Sequence, residues 1–193
     1  MSKLRIAILA STNATSSQGL LDAVASGEVN AEVVCFIVNK KDCGAVERAR
    51  RHHIPVVFID SQGKTREAFD AEVMSVLDEQ RVDLVLLIGY MRILSAPFVK
   101  QWGKKTLNIH PSLLPAFAGG MDKNVHEEVL KAGVAETGCT LHFISEKADE
   151  GPIVAQRTVA VSPNDTVETL KKKVQQQESD VIVAAVRAWP IAL

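Results

Sequence analysis

Leu4-Arg5-Ile6-Ala7-Ile8-Leu9-Ala10, followed by Ser11-Thr12-Asn13, is the stretch that decides the fold class. It is apolar at nearly every position from Ile6 onward, not at alternate ones. A strand of that kind is buried on both faces, as in a parallel sheet covered by helices. Residues 32–38, 56–59 and 84–88 repeat the pattern. Helical spacing fills the intervals at 17–25, 44–52 and 65–80. This β-α-β-α rhythm predicts an α/β fold: an open, mostly parallel twisted sheet with helices on both faces and right-handed crossovers. Residues 105–110 are predicted as another strand, and 122–132 as a helix closed by Gly133. Residues 139–144 and 153–161 read as a short antiparallel extension. A long helix over 166–188 follows.

Composition narrows the classes. A chain of 193 residues with 47 % apolar and 23 % charged residues can bury a core, and one domain over 1–193 is expected. Its 22 basic and 23 acidic residues leave a net charge of −1, so no broad basic field is present for nucleic acid. Cys35, Cys43 and Cys139 are scattered, which argues against a disulfide framework and for a reducing compartment. The run at 6–10 is too short for a signal-peptide core or a membrane span, so a cytoplasmic protein without a membrane partner is expected. No G-x-G-x-x-G follows the first strand, which disfavours a dinucleotide-dependent oxidoreductase. His52 and His53 are adjacent and no Cys/His cluster stands out, so no metal is expected. Lys171-Lys172-Lys173 is the only basic run and reads as a solvated helix face.

In open α/β sheets ligands sit beyond the carboxyl ends of the parallel strands. Those ends are Ser11-Thr12-Asn13, Asn39-Lys40, Gly89-Tyr90-Met91-Arg92 and Asn108-Ile109-His110. Asn108 and His110 are two apart on a strand and share a face. They are either a hydrogen-bonded polar pair at a strand end or the wall of a cleft. Pro111-Ser112-Leu113-Leu114-Pro115 is stiff and would hold His110 in place. Asp149-Glu150-Gly151-Pro152 reads as a turn whose acid is either solvated or functional. In the last helix Glu178 falls on the apolar stripe of Val167, Leu170, Val174, Val181 and Ala185, so it is at a cleft edge or paired. Arg66, three residues before Phe69, is either a snorkelling surface residue or part of a site.

Leu107-Asn108-Ile109-His110-Pro111-Ser112-Leu113-Leu114-Pro115 resembles the signature of the folate-dependent formyltransferases. Asp149-Glu150-Gly151-Pro152-Ile153 resembles that family's acidic loop. Gly89-Tyr90-Met91-Arg92-Ile93-Leu94-Ser95 and Val174-Gln175-Gln176-Gln177-Glu178 are similar to further family segments, and the resemblance runs over most of the chain. It implies a Rossmann-like formyltransferase fold and an enzyme that needs no metal. The implied reaction moves a formyl group from 10-formyltetrahydrofolate, as co-substrate, to the amine of glycinamide ribonucleotide in purine biosynthesis. Asn108, His110 and Asp149 would be catalytic. Asn108 and His110 would face the developing oxyanion, and Asp149 would raise the His110 pKa and help relay a proton. Ala14, Thr15, Ser16, Gln175 and Glu178 would hold the ribonucleotide. Arg66, Met91, Arg92, Ile93, Leu94 and Asn108 would bind folate, with Ser145, Glu146, Lys147, Ala148 and Asp149 closing over its ring. The protein would be a monomer or homodimer. Other readings are formyl transfer to another small amine such as an amino sugar nucleotide, formate-releasing hydrolysis, and a non-catalytic folate- or nucleotide-binding relative. Formylation of tRNA is disfavoured by length and charge.

The sequence departs from the family pattern in three places. Thr12 and Ala14 stand where the phosphate loop ordinarily has glycine, and a positive φ at Ala14 would cost about 1 kcal/mol. With a net charge of −1, a substrate phosphate would be held locally by loop amides and hydroxyls. Residues 116–124 form a longer segment, expected near the amine substrate, with His126 either in that site or on the helix surface. The chain stops at Leu193, where many relatives have further strands, which would trim the sheet edge.

Overall fold

The computed structural model describes residues 2–119 and 123–191. Among them, seven strands form one sheet: β1 (Leu4–Ala10), β2 (Ala31–Val38), β3 (Val56–Phe58), β4 (Leu84–Leu87), β5 (Thr106–His110), β6 (Glu136–Phe143) and β7 (Ile153–Ala160). The helices are α1 (Gln18–Ala25), α2 (Gly44–Arg51), α3 (Arg66–Glu79), α4 (Ala96–Trp102), α5 (Lys123–Ala132) and α6 (Val167–Arg187). Strand order is β3-β2-β1-β4-β5-β6-β7. The first five strands run parallel, whereas β6 pairs antiparallel with β5 and β7 with β6. This is the expected sheet with its antiparallel extension.

Both faces of β1 are buried, as its unbroken apolar run requires. Ile6, Ile8 and Ala10 pack on one side with Leu20 of α1, Val125 of α5 and Val174 and Val181 of α6. Ala7 and Leu9 pack on the other with Phe69 and Val73 of α3 and Phe98 of α4. Helix α6 starts at a capping box, in which the Thr166 side chain accepts from Thr169 N–H.

Helix α4 was absent from the sequence expectation. Ser95 caps it by accepting from Phe98 N–H, and Pro97 lies in its first turn. At seven residues, about two turns, it is shorter than the window of about 11–18 residues over which helical periodicity stands out. Strand β6 begins three residues earlier than expected, at Glu136. His52 caps α2 and His53 has φ 56°, so the pair closes a helix rather than standing on one. Of the helix expected from 122, Asp122 lies outside the described residues, as does the 120–122 part of the long segment. No described helix is long and apolar enough to cross a membrane.

The chain turns in opposite directions from β1 and β4, which opens a crevice at their carboxyl ends. Ser11 N–H donates to Gly89 O at 2.9 Å, and Thr12 Oγ1 donates to the same oxygen at 3.2 Å. Gly89 has φ +61°, and a Cβ there would stand 2.1 Å from Thr12 Oγ1. Glycine is what lets the two strand ends meet.

Candidate active site

Two cavities open at this crevice, of about 510 Å³ and about 210 Å³. Asn108 and Tyr90 line both and so stand at their junction. The larger is walled by Ala14, Thr15, Ser16, Met91, His110, Gln175 and Glu178. The smaller is walled by Arg92, Ile93, Leu94, Ser145, Lys147, Ala148 and Asp149. Most of the residues expected to hold two substrates therefore fall into two matching groups. Met91 lines the larger cavity instead of the smaller, its N–H donating to Ser11 Oγ at 2.9 Å. Arg66 and Glu146 are exposed and line neither. Arg66 is the first residue of α3, in the field of the buried Asp70, which also accepts from Ser95 N–H at 2.6 Å.

Asn108 and His110 share the face of β5 opposite Leu107 and Ile109, as the two-residue period demands. The antiparallel register sets His142 of β6 beside Asn108. His142 Nδ1 is 2.8 Å from Phe143 O; a carbonyl can only accept, so Nδ1 carries the hydrogen. With the hydrogen on Nδ1, Nε2 accepts from Asn108 Nδ2 at 3.0 Å. This contact orients the Asn108 amide and leaves its second N–H available to the cavities.

Asp149 stands between the two imidazoles, with Oδ2 3.5 Å from His110 Nδ1 and Oδ1 3.7 Å from His142 Nε2. Gly119 N–H donates to Asp149 Oδ2 at 2.9 Å. His110 Nε2 donates to Phe117 O at 3.2 Å. The described part of the long segment thus touches two of the three expected catalytic residues. Thr140 Oγ1 donates to Ser112 O and accepts from Leu114 N–H, pinning the stiff segment, whose Leu114-Pro115 bond is cis.

Asp149 acts on His110 in the expected direction, but burial acts against it. Burial pushes the His110 imidazole below its ordinary pKa, and Asp149, acting in the opposite direction, does not restore it. Burial acts to raise the Asp149 carboxyl, but contact with His142, the Gly119 N–H and the two rings outweigh it and hold it below the usual carboxylate range. Near neutral pH, His110 is therefore neutral beside an ionised Asp149.

The loop after β1 adopts the strained conformation its sequence implies. Ala14 has φ 45° and ψ 43°, and its carbonyl accepts from Ser17 N–H and Ser17 Oγ. Arg48 Nε donates to Asn13 O at 3.0 Å and its guanidinium also reaches the Gln18 side chain. Ser16 Oγ donates to the Glu178 carboxylate. Glu178 is thus both paired and on a cavity wall. His126, left open between site and surface, is 1 % exposed and lines the larger cavity.

Sequence reasoning missed His142, although Thr140 and His142 alternate on a strand, which would put both on one face. It also missed Tyr90 as a junction residue; of the lysine run read as solvated, Lys172 and Lys173 are exposed and Lys171 is half-buried, and Lys171 and Lys172 line the larger cavity. Among the described residues, no group of three His, Cys, Asp or Glu side chains is placed to hold a metal ion.

Comparison with known proteins gives a consistent result. The family model described as formyl transferase matches residues 4–186. The trifunctional purine biosynthetic protein adenosine-3 of Bos taurus is 43 % identical over 186 residues, 96 % of this chain, and the chain spans only 18 % of that relative's length. Phosphoribosylglycinamide formyltransferase of Haemophilus influenzae is 37 % identical over 178 residues, 92 % of this chain and 82 % of that protein. The crystal structure of glycinamide ribonucleotide transformylase 1 from Symbiobacterium toebii superposes with a TM-score of 0.90 at 37 % identity, covering 96 % of this chain and 87 % of that one. With a family match over nearly its whole length, and with the Asn108-His110-Asp149 constellation at its crevice, this chain belongs to the formyl transferase family.

Proposed function

We propose that this protein transfers a formyl group from 10-formyltetrahydrofolate to the amine of glycinamide ribonucleotide, a step of purine biosynthesis. The observation that carries the reading is the position of Asn108, His110 and Asp149 where two cavities meet. One cavity carries hydroxyls and acids suited to a phosphorylated sugar. The other has apolar walls at Ile93, Leu94 and Ile144, with Ser145, Lys147, Ala148 and Asp149 beside them, suited to a flat heterocycle. The names of the relatives support formyl transfer to glycinamide ribonucleotide. One continuous sheet, packed on both faces, supports a single formyl-transferring domain.

The roles follow from the contacts. Attack of the amine on the formyl carbon puts negative charge on the formyl oxygen, which needs a fixed donor. Asn108 Nδ2 supplies one, held in orientation by His142. The attacking nitrogen becomes cationic and must lose a proton before the folate nitrogen leaves. Neutral His110 accepts that proton at Nδ1, and ionised Asp149 stabilises the imidazolium as it forms. The same proton then neutralises the departing nitrogen, so no net proton is consumed by the side chains.

The test is an assay of purified protein with 10-formyltetrahydrofolate and glycinamide ribonucleotide, following release of tetrahydrofolate and formylation of the amine. Formation of both products in equal amounts is expected. Turnover only with a different amine, or release of formate without an amine, would replace this reading.

A further inference from the structure

After His110 the chain turns through 111–119 and folds back onto the His110 ring. Ser112 is fully buried, and its Oγ donates to Ala116 O at 2.6 Å. Ala116 N–H donates to Leu113 O at 3.0 Å, and Ala118 N–H to Pro115 O at 3.4 Å. Phe117, the next residue after Ala116, has φ 58°, a left-handed conformation that a bulky residue adopts only where its surroundings impose it. The Phe117 carbonyl is thereby brought to 3.2 Å from His110 Nε2.

The outer side of this turn is clamped from β6 and β7, where Thr140 and Gln156 stand opposite each other in the ladder. Thr140 Oγ1 donates to Ser112 O at 2.7 Å and accepts from Leu114 N–H at 3.0 Å. It also accepts from Gln156 Nε2 at 2.8 Å, and the other N–H of that amide donates to Leu114 O at 3.0 Å. The hydrogen and both lone pairs of the hydroxyl are thus used. The Gln156 amide has a single fitting orientation, because turned over it would set its oxygen against Leu114 O. Neither Ser112 nor Gln156 lines either cavity, so both act on the site only through the turn.

What the turn decides is a tautomer. A neutral imidazole carries one hydrogen, and the contact made by one nitrogen sets the state of the other. Asp149 Oδ2 lies 3.5 Å from Nδ1, and with nothing to hold the hydrogen elsewhere a carboxylate would draw it there. No lone pair would then remain at Nδ1 for a proton of the attacking amine. The Phe117 carbonyl holds the hydrogen on Nε2 instead. We propose that Ser112 and Gln156 are positioning residues for formyl transfer: they fix the turn that presents the Phe117 carbonyl to His110, and that carbonyl selects the tautomer whose Nδ1 can accept the amine proton. The proposal rests on the reading of His110 as the proton acceptor and deepens it.

The test compares Ser112→Ala and Gln156→Met with the wild type. Ring nitrogens with and without a hydrogen differ widely in nitrogen NMR shift, so spectra of histidine-labelled protein read the tautomer directly, with His110→Gln identifying the signals. In the wild type, at a pH where His110 is neutral, Nε2 carries the hydrogen. In each variant a second population with the hydrogen on Nδ1 appears. There kcat falls at least about tenfold while KM for either substrate moves by less than about threefold, the pattern of a group that serves the transition state alone. The acid limb of kcat/KM shifts to lower pH, since the Phe117 carbonyl favours the protonated ring. Wild-type protein with the hydrogen on Nδ1 would overturn the proposal without any variant. Folded variants with the wild-type tautomer and acid limb would also overturn it, even if they are less stable. Variants whose hydrogen moves to Nδ1 while kcat keeps its wild-type value would instead overturn the reading of His110 as the proton acceptor.

Discussion

His110 Nδ1 faces Asp149 Oδ2 across 3.5 Å, while the opposite ring nitrogen of His110 lies 3.2 Å from the Phe117 carbonyl. Because the carbonyl only accepts, Nε2 carries the hydrogen of the neutral ring. A lone pair therefore points at a carboxylate, and the pair is one proton short. This arrangement is poised to receive a proton rather than to deliver one, and it stores none at rest. Asp149 acts to raise the His110 pKa, as expected, but burial outweighs the carboxylate.

Activity should therefore rise with pH on the acid side as His110 loses its proton, with a midpoint below the ordinary histidine value. Asp149→Asn removes the larger of the two neighbours that favour the protonated ring, leaving the Phe117 carbonyl. The acid limb of kcat/KM then moves to lower pH, and the rate at neutral pH falls by roughly 10²- to 10⁴-fold, as does that of His110→Ala. An acid limb at the same pH in Asp149→Asn would exclude His110 as the titrating group.

Stability carries the same signature. The His110 pKa is lower in the folded than in the unfolded chain, so below the unfolded value of about 6.5 the unfolded state binds more protons. Stability is full above that pH and declines as pH falls from there toward the folded pKa. Asp149 is also depressed, so its contribution is present above the unfolded carboxyl value of about 3.9 and lost as pH falls through its folded pKa. Urea unfolding of wild type and His110→Gln at pH 7.5 and 5.5 (chosen to bracket about 6.5) should show a smaller pH effect in the variant.

At Ala14, relief of left-handed strain by glycine is worth about 1 kcal/mol, against loss of a buried methyl worth about 0.8 kcal/mol. Glycine also adds unfolded-state entropy worth about 0.4–1 kcal/mol. Ala14→Gly should thus change stability by less than about 1 kcal/mol and leave KM for the ribonucleotide lower or unchanged. Ala14→Val places a β-branched residue at φ 45° in the core and should cost more than about 2 kcal/mol by thermal and urea unfolding. A valine variant as stable as the wild type would mean the loop has another conformation in solution.

The parallel layer was legible because its short apolar runs have strand length and recur between helical segments: β1 matches its expected limits at both ends. The antiparallel partner of β5 was foreseen as an element but not in register. Register decides that His142, not another polar residue of β6, orients Asn108. Nothing local in 139–144 carries that information. The lysine run was read as a solvated face, and Lys172 and Lys173 are exposed, whereas Lys171 is half-buried on the cavity face. Stepping back from Glu178 by three, then by four and three, reaches Gln175, Lys171 and Glu168, and would have placed them on the cavity face. Arg66 was placed in the folate group by resemblance, and its own backbone position at the exposed start of α3 holds it outside the lining.

Gly151 ties the acidic loop to β6, the strand that carries His142. A Cβ there would stand 1.7 Å from Phe143 O and 2.7 Å from its carbonyl carbon. That oxygen is the acceptor that fixes the His142 ring, and Asp149 lies two residues before the glycine. Backbone cannot yield as a flexible side chain can, so Gly151→Ala must move the loop and disturb His142 together with Asp149. The expected result is a kcat at least about tenfold lower, since a displacement of about 1 Å in a catalytic group costs up to about 10²-fold. Acting through Asp149, the change should be strongly non-additive: Gly151→Ala/Asp149→Asn should turn over within about threefold of Asp149→Asn alone. Additive losses in this cycle would show that the glycine supports the fold without positioning the carboxylate.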